Sequence, residues 1–558
     1  MADFMEQTTK PLMEYLEIAR VTVNQQCHDL EPWQLILGTF GVTLVLLWAY
    51  DLLFQQESVW SRSKKSFFRF VRGLPIIKDK IQAEVEKNTE KVKEEFGKQV
   101  KGMTYVRRLP SRGWTQPDVK KELRKYKDQL GVDWARGGCS GCVYSGADDL
   151  TQLMAEVYGE FAWTNPLHPD VFPEVRKMEA EVVRMCCTMF QGGPEACGCM
   201  TTGGTESIML ACKSYRDMAY ERGIKNPEMI VPVTAHAAFD KAASYFNIFI
   251  KHVPVDSKTG KADVTAFRRT ISRNTCMLAV SAPSFPHGVM DPIFQVAQLG
   301  KKYKIPVHVD SCLGGFLVPF MKKAGYELEP FDFSVPGVTS ISADTHKYGF
   351  APKGSSVIMY SDKSYRKYQY FVAPDWPGGI YATSTFSGSR AGAIIAACWA
   401  TLMYMGESGY VESTKKIIDV AKYIEAGIRK IPHIYVCGQP EVSVVGIASL
   451  DFNIYRLSDA LSSRGWNLNA LQFPSSFHIC CTLLHTKPGV ADRFLKDVSE
   501  CVDAIMQDPN KKCGGMGAMY GLAQSIPDRS IVSEIAGCFF DGYYDTGSEP
   551  IANGANHS

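Results

Sequence analysis

Charge of one sign is what this chain of 558 residues most plainly lacks: 61 Lys and Arg stand against 59 Asp and Glu, a formal net charge of +2. That balance carries no sign of a nucleic-acid partner, which a strongly basic domain would announce. The 17 cysteines lack the even framework of a small secreted scaffold. They are scattered, adjacent pairs Cys186-Cys187 and Cys480-Cys481 included, and read as reduced thiols in a cytosol-facing compartment. "CSGC", Cys139 to Cys142, has redox-motif spacing, and "CGC" follows at Cys197 to Cys199. A zinc site needs four ligands, and no second paired motif lies at finger spacing, so no metal is expected. A thioredoxin-like role needs a different strand–helix context, which leaves these as incidental thiols. There is no internal repeat. Long apolar runs are absent as well, with one exception.

That exception is "LILGTFGVTLVLLWAYDLLF", residues 35–54, whose only charge is Asp51. About 20 residues is the length that crosses a bilayer as a helix. The run is too long for a cleavable signal peptide and lacks a small-residue cleavage site. Arg62, Lys64, Lys65, Arg69 and Arg72 follow it, whereas Glu14, Glu17, Asp29 and Glu31 precede it. The positive-inside bias therefore places the bulk of the chain in the cytosol and the short N-terminus, 1–34, in a lumen. Trp33, Trp48 and Trp60 stand near or beyond its ends as interfacial anchors. Segment 55–101 is basic and then charge-rich, with lysines and glutamates at three- and four-residue spacings that suggest a solvated helical spacer.

Beyond Gly102 short apolar runs alternate with amphipathic stretches. "MIVPV", "MLAVSAP", "IPVHVDS", "SISAD" and "SSVIMY" read as buried strands, and 206–222 and 292–303 as helices between them. Such alternation predicts an α/β domain with a mainly parallel sheet over 146–388, after an N-terminal catalytic segment at 102–145. From about Ser389 long helices and the runs "VSVVGIASLDF" and "FHICCTLLH" predict a smaller α+β domain over 389–543. A polar tail, 544–558, is expected to be disordered.

Candidate chemistry lies in the α/β region. "CMTTGGTES" puts Gly203, Gly204 and Thr205 just before a helix, where backbone N–H groups cradle a phosphate; many ordinary turns contain Gly-Gly-Thr. "IPVHVDS" ends a strand on Asp310, well placed for a ligand, although a cap or ion pair uses a carboxylate there equally often. "VTAHAAFDKAA" presents His236 after another strand, where a histidine is more often structural. "SADTHKYGFAPKG" sets Lys347, after His346, among small and aromatic neighbours, 37 positions beyond Asp310. Together these match a pyridoxal phosphate site: a glycine turn for the phosphate, an aromatic plate, an acid for the pyridine nitrogen and a lysine for the Schiff base.

"TTGGTES", "TAHAAF", "HVDSCLGGF", "SADTHKYGFAPKGSS", "FAWTNPLHPDVFPEVRKMEAEVVRM" and "WNLNALQFP" resemble the group II pyridoxal phosphate-dependent decarboxylase superfamily, and within it the sphingosine-1-phosphate lyases. The resemblance implies a fold-type I, transferase-like α/β enzyme with a smaller C-terminal domain, anchored in the endoplasmic reticulum membrane. It implies a homodimer with its active sites at the subunit boundary. The reaction it implies cleaves C2–C3 of phosphorylated long-chain bases in a retro-aldol step to a fatty aldehyde and phosphoethanolamine. Carried over by motif, Lys347 is the Schiff-base lysine, Asp310 the partner of the pyridine nitrogen and His236 the stacking residue. Gly203, Gly204, Thr205 and His346 lie at the cofactor phosphate. Tyr144, Asn165 and His168 belong to the active site, and Lys353 with Tyr144 and His168 meets the substrate phosphate. "FSGSR", with Ser389 and Arg390, reaches the site across the dimer. The general base stays open among Tyr144, His168, Lys347 and the cofactor phosphate. An anchored amino-acid decarboxylase, or a silent scaffold on the same fold, is the alternative.

Overall fold

Apolar runs bounded by turns become strands that are covered on both faces, and the central sheet is built from them. The computed structural model describes residues 20–53, 74–100, 105–128, 131–511 and 529–547, with isolated positions near 15–18, 63–70 and at 513. The basic residues Arg62, Lys64, Lys65, Arg69 and Arg72 and most of the expected tail lie outside them.

The chain divides into two units, 1–98 with 530–558, and 99–529. In the first, a 22-residue helix, Pro32–Leu53, covers the apolar run. Ile36, Leu37, Phe40, Val42, Leu44, Val45 and Leu46 are exposed all round it, and its side chains are described no further than residue 46. Among the described residues no helix is long and apolar enough to cross a membrane. The expected spacer forms the helix Pro75–Gln99. It is not wholly solvated: Phe96 meets Phe539 and Tyr543 of the helix Arg529–Tyr544 at ring distances of 5.2 and 6.1 Å, and Lys93 pairs with Asp545 at 2.9 Å.

The second unit holds a seven-stranded sheet of β1 (Cys197–Thr201), β2 (Glu228–Pro232), β3 (Phe249–Val253), β4 (Thr275–Ser281), β5 (Val307–Asp310), β6 (Val338–Ala343) and β7 (Ser356–Tyr360). Their order is β1-β7-β6-β5-β4-β2-β3. Strands β3, β2, β4, β5 and β6 pair in parallel. β7 is antiparallel to both β6 and β1, so it alone runs against the rest. All seven residues of β4 are buried. Leu278 and Val280 face one core, with helices Pro173–Met189 and Gly392–Ile428. Met277 and Ala279 face the other, with helix Gly204–Glu221. Two covered faces are why the strand reads as an unbroken apolar run rather than an alternating one.

After a short hairpin of β8 (Phe371–Ala373) and β9 (Tyr381–Thr383), the 37-residue helix Gly392–Ile428 crosses the molecule, bent at Gly406 (φ 56°). It leads to a four-stranded antiparallel sheet of β10 (Tyr435–Val436), β11 (Val444–Ala448), β12 (Asn469–Leu471) and β13 (Ser476–Cys480), in the order β10-β11-β13-β12.

Candidate active site

Parallel strands deliver their C-terminal ends to one edge of the sheet, where an α/β fold binds ligands. Ser281 pairs with Asp310 and Asp310 with Ser342, so the ends of β4, β5 and β6 lie side by side. Thr201 at the end of β1 reaches the same edge opposite Ser356 of β7.

After β6 the chain turns tightly. Phe350 takes φ 59°, a left-handed conformation that costs a bulky residue energy and persists only where packing imposes it. A Cβ on Gly349 would lie 2.4 Å from the Thr345 carbonyl. The Tyr410 hydroxyl donates to the Gly349 carbonyl at 2.8 Å. The buried Tyr348 hydroxyl bonds Ser443 Oγ and the Cys481 carbonyl, both at 2.6 Å, which roots the turn in the small sheet. Lys347 is thereby held at the sheet edge with its amine 3.0 Å from Asp344 Oδ2. His346 Nε2 lies 3.6 Å from the same oxygen. Burial alone pushes the Lys347 amine down, but Asp344, Cys312 and Asp310 more than offset it, and the net direction is up. The other Asp344 oxygen, Oδ1, is buried without a hydrogen-bond partner.

Asp310 is fixed from behind. Its Oδ1 accepts from the Cys312 backbone N–H at 3.0 Å and from Ser342 Oγ at 3.3 Å. Ser342 in turn meets His308 Nε2 at 3.1 Å; His308 Nδ1 meets Ser340 Oγ at 2.8 Å, and Ser340 meets the Tyr215 hydroxyl at 2.7 Å. This buried polar chain keeps the carboxylate oriented. Burial drives the His308 imidazole down to about 4, so it stays neutral within the chain.

Gly203 and Gly204 open the helix Gly204–Glu221, whose first turn has no side-chain cap. A Cβ on Gly204 would lie 2.7 Å from Cys312 Sγ and 2.8 Å from both Asp344 oxygens, so only glycine lets the turn approach this closely. Glu206 borders the cavity beside this turn, and its carboxylate is held by the chain: its Oε2 accepts from the Thr202 N–H and hydroxyl, both at 2.7 Å, and its Oε1 from the Phe386 N–H at 3.3 Å. Gly203, Gly204, Thr205, His236, Asp344, His346 and Lys347 line one cavity of about 350 Å³. His236 keeps its ring in place through Nδ1, which accepts from the Ala238 N–H at 3.1 Å. An uncapped helix start, an orphaned buried carboxylate oxygen and a lysine facing one cavity fit pyridoxal phosphate: phosphate at the glycine turn, aldehyde at Lys347.

A second cavity of about 270 Å³ also reaches His346 and Lys347. Lys353 and Tyr144 line it together with Trp134, Leu150, Met154 and Phe350. The Lys353 amine stands 4.8 Å above the Tyr144 ring and donates to the His346 carbonyl at 3.3 Å. Burial and then Lys347 lower its pKa. Burial, then Cys480 and Asp344, hold the Tyr144 phenol well above its usual range, and its hydroxyl makes no hydrogen bond to the described residues.

Asn165 and His168 line neither cavity. Asn165 joins the "FSGSR" loop of its own chain, donating to Ser389 Oγ at 3.1 Å and accepting from the Arg390 N–H at 3.2 Å. Arg390 is locked by both Glu179 oxygens. His168 is exposed beside this group. Sequence reasoning missed Asp344, although its place three residues before Lys347 was a usable signal. It also missed the Tyr215–Ser340–His308–Ser342 chain, which only strand register brings together.

A family model for the pyridoxal-dependent decarboxylase conserved domain matches residues 139–448, the segment that supplies the lining of both cavities apart from Trp134. The rat protein named sphingosine-1-phosphate lyase 1 is 54% identical over 550 residues, 98% of this chain and 96% of its own. The chain belongs to the sphingosine-1-phosphate lyase family. The Drosophila melanogaster relative of that name is 50% identical across 94% of this chain and 97% of its own. Among solved structures, a sphingosine-1-phosphate lyase from Burkholderia pseudomallei superposes with TM-score 0.71 at 39% identity, over 73% of this chain and 94% of that one. A glutamate decarboxylase from Lactobacillus brevis, at 20% identity and TM-score 0.62 over 74% of this chain and 97% of its own, shares the fold. The family uses pyridoxal phosphate, and the glycine-turn cavity is where this chain can hold it.

Proposed function

We propose that this chain cleaves the C2–C3 bond of sphingosine 1-phosphate and related phosphorylated long-chain bases, giving a fatty aldehyde and phosphoethanolamine. The observation that carries the reading is that two cavities meet at Lys347, one built for the cofactor and the other holding a cation, Lys353, above apolar walls. When bound, pyridoxal phosphate supplies the electron sink that takes up the pair left at C2. Lys347 would hold it through its amine, with the Asp344 carboxylate beside that amine to carry its charge. Asp310 would pair with the pyridine nitrogen, His236 would face the ring, and Gly203, Gly204, Thr205 and His346 would hold the cofactor phosphate. Lys353 receives the substrate phosphate as a charge-assisted partner. Tyr144, whose phenol keeps its proton at neutral pH, donates a hydrogen bond there. Purified protein supplied with a phosphorylated long-chain base and, separately, with free amino acids tests the reading: aldehyde from the first supports it, and carbon dioxide from the second with no aldehyde overturns it.

Three finer parts belong to the same reading. Asn165, His168, Ser389 and Arg390 form a preorganised group away from their own Lys347, as a contribution to the site of a second copy in a homodimer requires. Mixing Lys347→Ala with His168→Ala protein should restore activity that neither has alone; no recovery on mixing removes the shared site. The apolar run 35–54, whose large side chains from Ile36 to Leu46 are exposed, serves as a single-pass anchor in the endoplasmic reticulum membrane, N-terminus lumenal and catalytic region cytosolic. Removing residues 1 to about 60 should release protein that still turns over substrate in detergent, and a truncated protein that still sediments with membranes contradicts the anchor. The catalytic region itself is organised as a large cofactor-binding domain over 146–388 and a smaller one after 389.

A further inference from the structure

The Cys139–Cys142 dithiol has no part in the lyase reading, yet Cys142 lies on the wall of the substrate-side cavity. Residues 138–141 are clipped to the small sheet. Asn467 donates to the Gly138 carbonyl at 2.7 Å, Ser140 N–H to the Asn467 carbonyl at 2.9 Å, and Gly141 N–H to the Cys480 carbonyl at 3.1 Å. Gly141 takes φ 66°, and a Cβ there would lie 3.0 Å from Cys480 Cβ. The chain can therefore bend at Ser140–Gly141, which sets the buried Cys139 and the exposed Cys142 on either side of the bend, three residues apart. Cys142 itself is exposed, and it lines the cavity with Tyr144, Lys347 and Lys353. One thiol is open to solvent, its neighbour waits behind it, and the ammonium of Lys353 lies on the same cavity wall: this is the arrangement of an attacking and a resolving cysteine.

We propose that Cys139 and Cys142 are a reversible oxidation site, taking hydrogen peroxide as oxidant and closing to a disulfide that weakens substrate binding at Lys353. The Cys142 thiolate attacks one peroxide oxygen, breaking the O–O bond and leaving a sulfenic acid and, after protonation, water. Cys139 sulfur then attacks that sulfur and expels the hydroxyl as a second water. Two thiols are oxidised, one peroxide is reduced, and two waters leave. Closing the S–S bond to about 2.05 Å draws residue 142 toward 139. It carries along Tyr144, two residues on, whose ring supports the Lys353 amine.

The activity arm of the test rests on the proposed lyase reading; the mass arm does not. Full-length holoenzyme, first reduced, is treated with hydrogen peroxide, alkylated and mapped by mass spectrometry. The expected result is a Cys139–Cys142 peptide short by two hydrogens, reversed by dithiothreitol, with the cofactor absorbance retained. KM for the phosphorylated base should rise about tenfold, the scale of one impaired charge-assisted contact, while kcat changes less. Cys142→Ser, whose exposed site tolerates the change, and Cys139→Ser should each keep their own reduced-state KM after peroxide. Absence of the linked peptide, a link from Cys142 to Cys480 instead, or an equal rise in KM in Cys142→Ser overturns the proposal.

Discussion

Replacing Asp344 by Asn removes one charge and almost no volume from beside Lys347. The pair is 3.0 Å apart, with the carboxylate side chain 2% and the lysine side chain 22% exposed. Two unit charges at that distance attract by about 5 kcal/mol at an effective dielectric of about 20. Losing one partner of a buried pair costs about 3–5 kcal/mol in practice. Burial is the largest influence on this amine and acts downward; Asp344 is the first of those that reverse it. Without Asp344 burial wins, and about 3 kcal/mol corresponds to a fall of about two pH units in the lysine's titration. Below its pKa, each unit of fall makes about ten times more of the neutral amine that attacks an aldehyde. Cofactor-stripped Asp344→Asn protein should therefore capture added pyridoxal phosphate about 10- to 100-fold faster near neutral pH. The pH profile of capture, followed by the visible band of the lysine–cofactor linkage, should move to the acid side. A profile that superimposes on the wild type would refute the claim that Asp344 sets the charge state of Lys347.

Four further outcomes are expected. Lys353→Ala should keep the cofactor spectrum but lose about ten- to a hundredfold in kcat/KM for the phosphorylated base, as for a lost charge-assisted contact of about 1.5–3 kcal/mol; undiminished kinetics remove Lys353 from the site. Because burial and Lys347 lower its pKa from 10.5, its phosphate contact is complete below that lowered pKa and is lost as pH rises through it. The wild-type alkaline limb should thus fall before pH 10.5, and Lys353→Arg should extend it. Gly204→Ala drives a methyl into Cys312 and Asp344, an overpacking worth about 1–3 kcal/mol; a lower Tm and weaker cofactor binding should appear together. Tyr348→Phe leaves the Cys481 carbonyl without its buried donor and Ser443 Oγ without its hydroxyl partner, and urea unfolding should report a loss of about 1–3 kcal/mol.

The parts of this molecule that sequence alone made legible are those whose signal is local. β2, β4, β5, β6 and β7 were visible because both faces are covered and most of their residues are apolar or small. β1 was not, because Cys197, Gly198 and Cys199 carry no strand propensity; it is a strand only because β7 lies beside it. β3, "FIKHV", is an edge strand on which only Val253 is fully buried, and its Lys251 and His252 interrupt the apolar run that marks a covered strand. Lys347, Asp310 and Gly203–Gly204 stood out through chemistry and spacing. Asp344 did not, because a carboxylate near a lysine is ordinary on a surface, and only its burial makes it consequential. The His308 chain depends on register between β5 and β6, which no linear pattern encodes. Motif spacing likewise did not say that Asn165 and His168 line neither of the cavities that meet at Lys347.

β1 comes first of the seven strands, yet its only partner in the sheet, β7, is the last. During synthesis it must wait, unpaired, while the five intervening strands emerge, and an unpaired strand is an invitation to the wrong neighbour. The glycine turn that follows β1 cannot take its place beside Asp344 until β7 has closed that gap. The phosphate cradle is therefore among the last features to assemble, and cofactor can be held only by a chain whose sheet is complete. In a cell short of vitamin B6 the penalty should fall less on early folding than on this final joint, where the newly seated edge strand lacks a ligand to fasten it.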